Sequence, residues 1–194
     1  MTDMTKCPGD PDPPHGTELI TTKEVPDCVL EEVGLQLVEP EPYVKRKRWG
    51  AMDPVKPPVF RDCPPSRIVV VDTGTSQCKT LEQCSLVLQQ HQEQTIYEGG
   101  QSDLPYNFMV GGDGRVYEGR GWRAKIALPE TFAEEYEDDI SFIIGLIGDF
   151  SSSELEICPP EKMVKARRQF VLLGKDVGIF DREIEIWTEL QWKV

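Results

Sequence analysis

Histidine is the scarcest chemistry-bearing residue in this chain of 194 residues: there are two, His15 and His91, far apart in sequence. A histidine-rich metal site is excluded at once. Long apolar runs are also missing. The most apolar stretch, Ile140 to Ile147, is broken by Ser141 and Gly145 and is far short of the ~20 residues that span a bilayer. The first twenty residues hold Asp3, Asp10, Asp12 and four prolines, with no basic segment leading into an apolar one, so no cleaved secretory signal is expected. On this basis the chain reads as intracellular, although other isoforms of the same domain could carry a membrane anchor. Basic charge is short too. With 21 Lys and Arg against 34 Asp and Glu, the net charge of −13 argues against nucleic acid as a partner. Six cysteines are too few for a disulfide scaffold at this length.

What is present suits one globular domain and a tail: 39% hydrophobic and 28% charged residues. Residues 1–44 carry ten acids, two lysines and few aromatics, which predicts disorder. Lys45, Arg46, Lys47 and Arg48 follow and read as a solvated linker run. The expected boundary is therefore a tail over 1–48 and a domain over 49–194.

Within the domain the periodicity changes along the chain. Ile68 to Val71 is a β-branched run ending in Asp72-Thr73-Gly74-Thr75, which predicts a buried strand and its exit loop. Lys79 to Thr95 places Leu81, Cys84 and Leu88 on one side of a helix, with His91 on the side that looks exposed. Asn107 to Val110 and Arg115 to Glu118 flank Gly111-Gly112-Asp113-Gly114, the pattern of a tight hairpin. Ser141 to Leu146 predicts a second buried strand. A helix should run from Pro159-Pro160 to about Val177, with Met163, Val164, Phe170, Val171 and Leu173 inside and Gly178 as its stop. Ile184 to Trp187 alternates as a last strand. The sum is an α/β fold with a central mixed sheet flanked by helices.

Other chemistries find little support. Asp72-Thr73-Gly74 matches one half of an aspartic-protease pair, but no second copy exists. The acidic run Glu134 to Asp139 lacks the spacing and central glycine of a calcium loop. No phosphate-binding glycine motif occurs.

Several segments carry a stronger signal together: Trp49-Gly50-Ala51, the Ile68 to Val71 strand, Cys78 and Cys84 with five residues between them, and Asp103-Leu104-Pro105-Tyr106-Asn107-Phe108. The longest is Gly111 to Trp122, GGDGRVYEGRGW, followed by Ile147-Gly148-Asp149-Phe150. In this order they resemble the peptidoglycan recognition protein domain, the animal relative of zinc-dependent N-acetylmuramoyl-L-alanine amidases. The likeness extends from Trp49 to about Phe180 and is nearest to the long, non-secreted insect forms of the LA type. It implies an amidase-like fold, here shortened at its C-terminal end.

In that family two histidines and a cysteine hold zinc, which polarises the amide carbonyl and activates water while a tyrosine assists. The resemblance puts the first histidine position at Asp72. The stretch Ile184 to Gln191, where the second is expected, has no histidine, and no Cys-Pro-Gly segment follows. Tyr106 matches the tyrosine. The resemblance therefore implies no cofactor, no metal and no catalysis.

It further implies a ligand groove formed by Asp72, Thr73, Tyr106, Asn107, Phe108, Arg120, Trp122 and Leu128, and a disulfide between Cys78 and Cys84. That disulfide conflicts with a reducing compartment. Cys63 and Cys158 read as ordinary thiols. The implied role is a receptor or regulator in innate immune signalling of the Imd type. Its partners would be peptidoglycan or a muropeptide, other recognition proteins or signalling adaptors, with a dimer among the options. The alternative is a protein-interaction module that binds no sugar; a residual amidase stands behind both.

Overall fold

The computed structural model describes residues 42–126, 140–150 and 158–188. Six strands form one sheet: β1 (Tyr43–Val44), β2 (Arg67–Asp72), β3 (Phe108–Val110), β4 (Val116–Glu118), β5 (Ser141–Leu146) and β6 (Glu185–Thr188), in spatial order β1-β4-β3-β5-β2-β6. Only β3 and β4, joined by the glycine turn, run antiparallel; the other pairings are parallel. Three helices complete the described fold: α1 (Arg46–Trp49), α2 (Leu81–Tyr97) and α3 (Glu161–Asp176).

Both faces of the sheet are covered, which is why β2 and β5 read as continuous apolar runs. Alternation sorts their side chains into two layers. Ile68, Val70, Phe108, Phe142 and Ile144 pack with Met163 and Phe170 of α3. Val69, Met109 and Ile143 pack with Cys84 and Leu88 of α2 and with Trp49. At the centre of the α3 layer the half-buried Trp122 stacks on Phe170 with ring centroids 4.7 Å apart and tilts against Phe108 at 4.6 Å. Aromatic pairs at these distances add about 0.5–1.5 kcal/mol each beyond burial.

Helix ends follow their local chemistry. Thr80 caps α2 by accepting the Gln83 N–H at 3.3 Å, and the Gln83 carboxamide oxygen accepts the Lys79 N–H at 3.0 Å, a reciprocal arrangement close to a capping box. After α3 the chain turns through Gly178 at a φ of 77°, a left-handed conformation that glycine adopts without strain. Val164, expected inside, is exposed; Ala166 and Gly174 occupy the inner stripe instead. Gly174 is there because a Cβ would overlap the Phe180 ring.

The domain begins earlier than residue 49. Tyr43 and Val44 pair with Val116 and Tyr117 of β4, and three of the four basic residues form the first turns of α1. Arg46 is no solvated linker charge: its guanidinium lies 2.9 Å from Asp103 Oδ2 and donates to the Gly119 and Met52 carbonyls at 2.7 and 2.6 Å. Asp103, 1% exposed, also accepts from Gln92 Nε2 at 2.7 Å and from the Leu104 N–H at 2.9 Å. Of the expected disordered tail, residues 1–41 lie outside the described residues.

Cys78 and Cys84 are disulfide-bonded with Cα atoms 5.0 Å apart, tying the loop before α2 to its first turn. The hairpin glycines press on this link: a Cβ on Gly111 would sit 2.8 Å from Cys84 Sγ, and one on Gly112 would overlap the Cys78 carbonyl. Cys63 is disulfide-bonded as well, so it is not the ordinary thiol its sequence context suggested, whereas Cys158 is free and exposed.

Two stability outcomes follow from these contacts. Arg46→Ala leaves the Asp103 carboxylate buried without its cation and should cost about 3 kcal/mol in urea unfolding. The double change Cys78→Ser with Cys84→Ser should cost about 2 kcal/mol, the loop-entropy value for so short a ring.

Candidate functional site

Along α2, residues Val87, Gln90, His91, Gln94 and Tyr97 recur at three- and four-residue spacing and share one face. Opposite them runs the exit loop of β2, Thr73 to Ser76. Between the two lies a groove of about 850 Å³. Its loop wall offers hydroxyls from Thr73, Thr75 and Ser76, and its helix wall offers amides, the His91 imidazole and Tyr97, whose ring is 76% exposed. The loop wall is held in place: Thr73 Oγ1 accepts the Gly148 N–H at 3.1 Å and lies 2.7 Å from Thr75 Oγ1.

At the base of the groove His91 Nε2 and the Tyr106 hydroxyl lie 3.4 Å apart, with the rings stacked at 5.9 Å. Tyr106 reaches this position because β5 carries glycine where it passes: a Cβ on Gly145 would stand 3.0 Å from both Tyr106 and Thr73. Burial, reinforced by the negative charge of Asp72, raises the phenol above its ordinary value. Burial lowers the His91 imidazole. Both rings are thus neutral near pH 7, a polar pair suited to hydrogen bonding, with the imidazole in its proton-accepting form.

The end of β2 corrects one expectation. Alternation sets Val69 and Val71 on the α2 side with Tyr106, and Ile68 and Val70 on the α3 side. Asp72 is the next residue, and its carboxylate accepts the Phe150 N–H at 2.9 Å while its charge still acts on Tyr106. A zinc ion of the amidase type needs three protein donors around one point. Near Tyr106 the strand supplies an apolar Val71, and among the described residues no three His, Cys, Asp or Glu side chains converge. The described residues around Tyr106 do not form such a donor set.

Other expected groove residues sit elsewhere. Phe108 is fully buried in the α3 layer, and Trp122 caps that same layer, so neither faces the α2 groove. Asn107 is fully buried and spent on the backbone: its amide donates to Gly121 and Ala124 carbonyls at 2.8 and 2.9 Å and accepts the Ile143 N–H at 3.0 Å. Arg120 donates through Nε to the Lys125 carbonyl at 2.7 Å. Leu128 and the acidic run Glu134 to Asp139 lie outside the described residues. Thr73 lines the groove wall, and Tyr106 lies behind it against His91.

His91, set aside on sequence grounds, proves to belong to the site. Its i+4 relation to Val87 was the available signal; the partner across the groove was not visible in one dimension. Lowering of its pKa has a definite sign: below its ordinary 6.5 the unfolded chain takes up a proton that the folded chain resists. This contribution to stability is complete above that value and is lost as pH falls through it. His91→Gln should therefore flatten the fall in melting temperature between about pH 7.5 and pH 5 relative to the parent chain. Parallel slopes for the two chains would contradict the burial of the ring.

No family model matches the chain. Similar proteins and structures are nevertheless found. The chain is 30% identical over 135 residues to peptidoglycan-recognition protein 2 of Holotrichia diomphalia, covering 70% of this chain and 67% of that one. It spans 66% of peptidoglycan-recognition protein 1 of the same beetle, but only 26% and 25% of human peptidoglycan recognition protein 3 and Drosophila melanogaster peptidoglycan-recognition protein LC. Among solved structures, the ectodomain of the Drosophila transmembrane receptor PGRP-LCa superimposes with a TM-score of 0.66 at 27% identity, over 74% of this chain and 82% of that one. Peptidoglycan recognition protein LE in complex with tracheal cytotoxin, monomeric diaminopimelic acid-type peptidoglycan, superimposes with a TM-score of 0.67 at 26% identity, over 78% and 84%. With the mixed sheet, the disulfide at the foot of α2 and the groove above Tyr106, these likenesses establish that the chain belongs to the peptidoglycan recognition protein family.

Proposed function

We propose that the chain is a non-catalytic recognition protein that holds a peptidoglycan fragment in the α2 groove and acts as a receptor or regulator in innate immune signalling of the Imd type. The observation that carries this reading is a formed groove whose floor, among the described residues, holds no metal donor set. Thr73, Thr75, Gln90 and Gln94 present hydroxyls and amides to a glycopeptide, and the exposed Tyr97 ring offers a face to a sugar. At the floor, Tyr106 stays protonated and Val71 stands where the strand turns toward it. Support also comes from relatives: recognition protein LE and the paired LCa and LCx ectodomains have both been solved with tracheal cytotoxin. Among the described residues no donor set for zinc converges, so no step of zinc hydrolysis is assigned.

A second reading, pairing with another recognition protein, is favoured by β6. This edge strand leaves Ile186 and Trp187 48% and 41% exposed, with Trp187 held flat beneath the Arg67 guanidinium at 3.4 Å. The two readings are compatible, because β6 and the α2 groove involve different residues.

Incubating the full chain with insoluble peptidoglycan tests the first reading. Retention of the folded chain is expected, without release of stem peptide even when zinc is added, and Tyr97→Ala should lower retention several-fold. A folded chain that stays in the supernatant would remove direct recognition, and zinc-dependent release would restore the amidase.

A further inference from the structure

Cys63 is half-buried just before β2 and is disulfide-bonded. Its partner follows by elimination among the six cysteines. Cys78 and Cys84 are bonded to each other and Cys158 is free, which leaves Cys7 and Cys28. Both precede the described residues, so the bond fastens the N-terminal segment to the domain at a second point, besides its continuation into β1.

Beside Cys63 the chain crosses the surface as an apolar strip, in which Val55, Val59 and Phe60 are each more than half exposed. The strip is held by its backbone. The Val55 N–H donates to the Ser102 carbonyl at 2.9 Å, the Val59 carbonyl accepts the Lys125 N–H at 2.8 Å, and Phe60 pairs with Ala124. Helix α1 adjoins its start, where Arg46 donates to the Met52 carbonyl. In the segments that frame it, Lys45, Lys47, Arg48, Lys56 and Arg123 are exposed, against two exposed acids, Asp53 and Asp62. The strip therefore has a basic rim in a chain of net charge −13.

Residues 29–41 have the complementary character: Val33, Leu35, Leu37 and Val38 are apolar, and Glu31, Glu32, Glu39 and Glu41 flank them. We propose that Cys28 is bonded to Cys63 and that residues 29–41, held at both ends, cover the Val55 to Phe60 strip. Thirteen residues separate Cys28 from Pro42. Extended, they reach about 45 Å, more than the width of a domain of this size. Cys28 is chosen over Cys7 because its shorter loop closes about twofold more readily, and because it stands next to the apolar segment and brings it to the strip. Forming the bond takes two electrons and two protons from the two thiols. A small-molecule disulfide such as oxidised glutathione accepts them and leaves as two thiols, and a dithiol reductant reverses the exchange. The link is thus a redox latch, whose reduction frees the acidic segment and uncovers the strip.

The test is peptide mapping of the full chain, equilibrated with oxidised glutathione, alkylated and digested without reduction. Trypsin places Cys7 on residues 7–23, Cys28 on 24–45 and Cys63 on 62–67, so each pairing has its own mass. The expected product joins 24–45 to 62–67. Hydroxyl-radical labelling then reads the cover: Phe60 should be labelled several-fold more in Cys28→Ser than in the parent chain, while Cys7→Ser should match the parent. A free Cys63 thiol, or a link from 62–67 to any other peptide, would overturn the assigned bond. Equal labelling of Phe60 in the parent and Cys28→Ser chains would overturn the covering of the strip. Neither result touches the recognition reading, because the α2 groove is built from other residues.

Discussion

A buried carboxylate organises this domain. Asp103 sits between three segments far apart in sequence and satisfies each: the Arg46 guanidinium from α1, the Gln92 carboxamide from α2, and the Leu104 N–H of its own loop. A buried pair of this kind contributes little net stability compared with an apolar replacement, because both ions give up hydration. Its effect is geometric. Gln92 follows His91 on α2, and Tyr106 lies three residues beyond Asp103, so fixing Asp103 against Gln92 also fixes the imidazole against the phenol. The groove floor depends on a charge that never reaches the groove.

The same interaction explains why the N-terminal boundary was hard to read. Four consecutive basic residues have the composition of a linker, and Lys47 and Arg48 are indeed exposed. What sets Arg46 apart is a partner 57 residues away, and no local pattern encodes that distance. Strand β1 is equally hidden: two residues are too few to show alternation, and their pairing with β4 becomes apparent only once β4 is placed.

Elements whose signals are local were legible. The apolar runs of β2 and β5, the GGDG turn, the α2 stripe and the Gly178 stop all appear where residue chemistry puts them. Facing direction was not legible within strands buried on both sides, since a continuous run of apolar residues gives no contrast between layers. That explains the exchange at the end of β2, where Val71 shares a side with Tyr106 and Asp72 turns to the Phe150 amide. It also explains Phe108, which lies in the α3 layer although its neighbour Tyr106 serves the other.

These placements bear on how the α2 groove keeps its shape. Three features hold its shape: the Asp103 network beneath α2, the Cys78–Cys84 link joining the loop to the helix, and the vacant side of Gly145 that admits Tyr106 beside Thr73. None is a metal donor. The walls therefore hold without a metal acting as the folding staple.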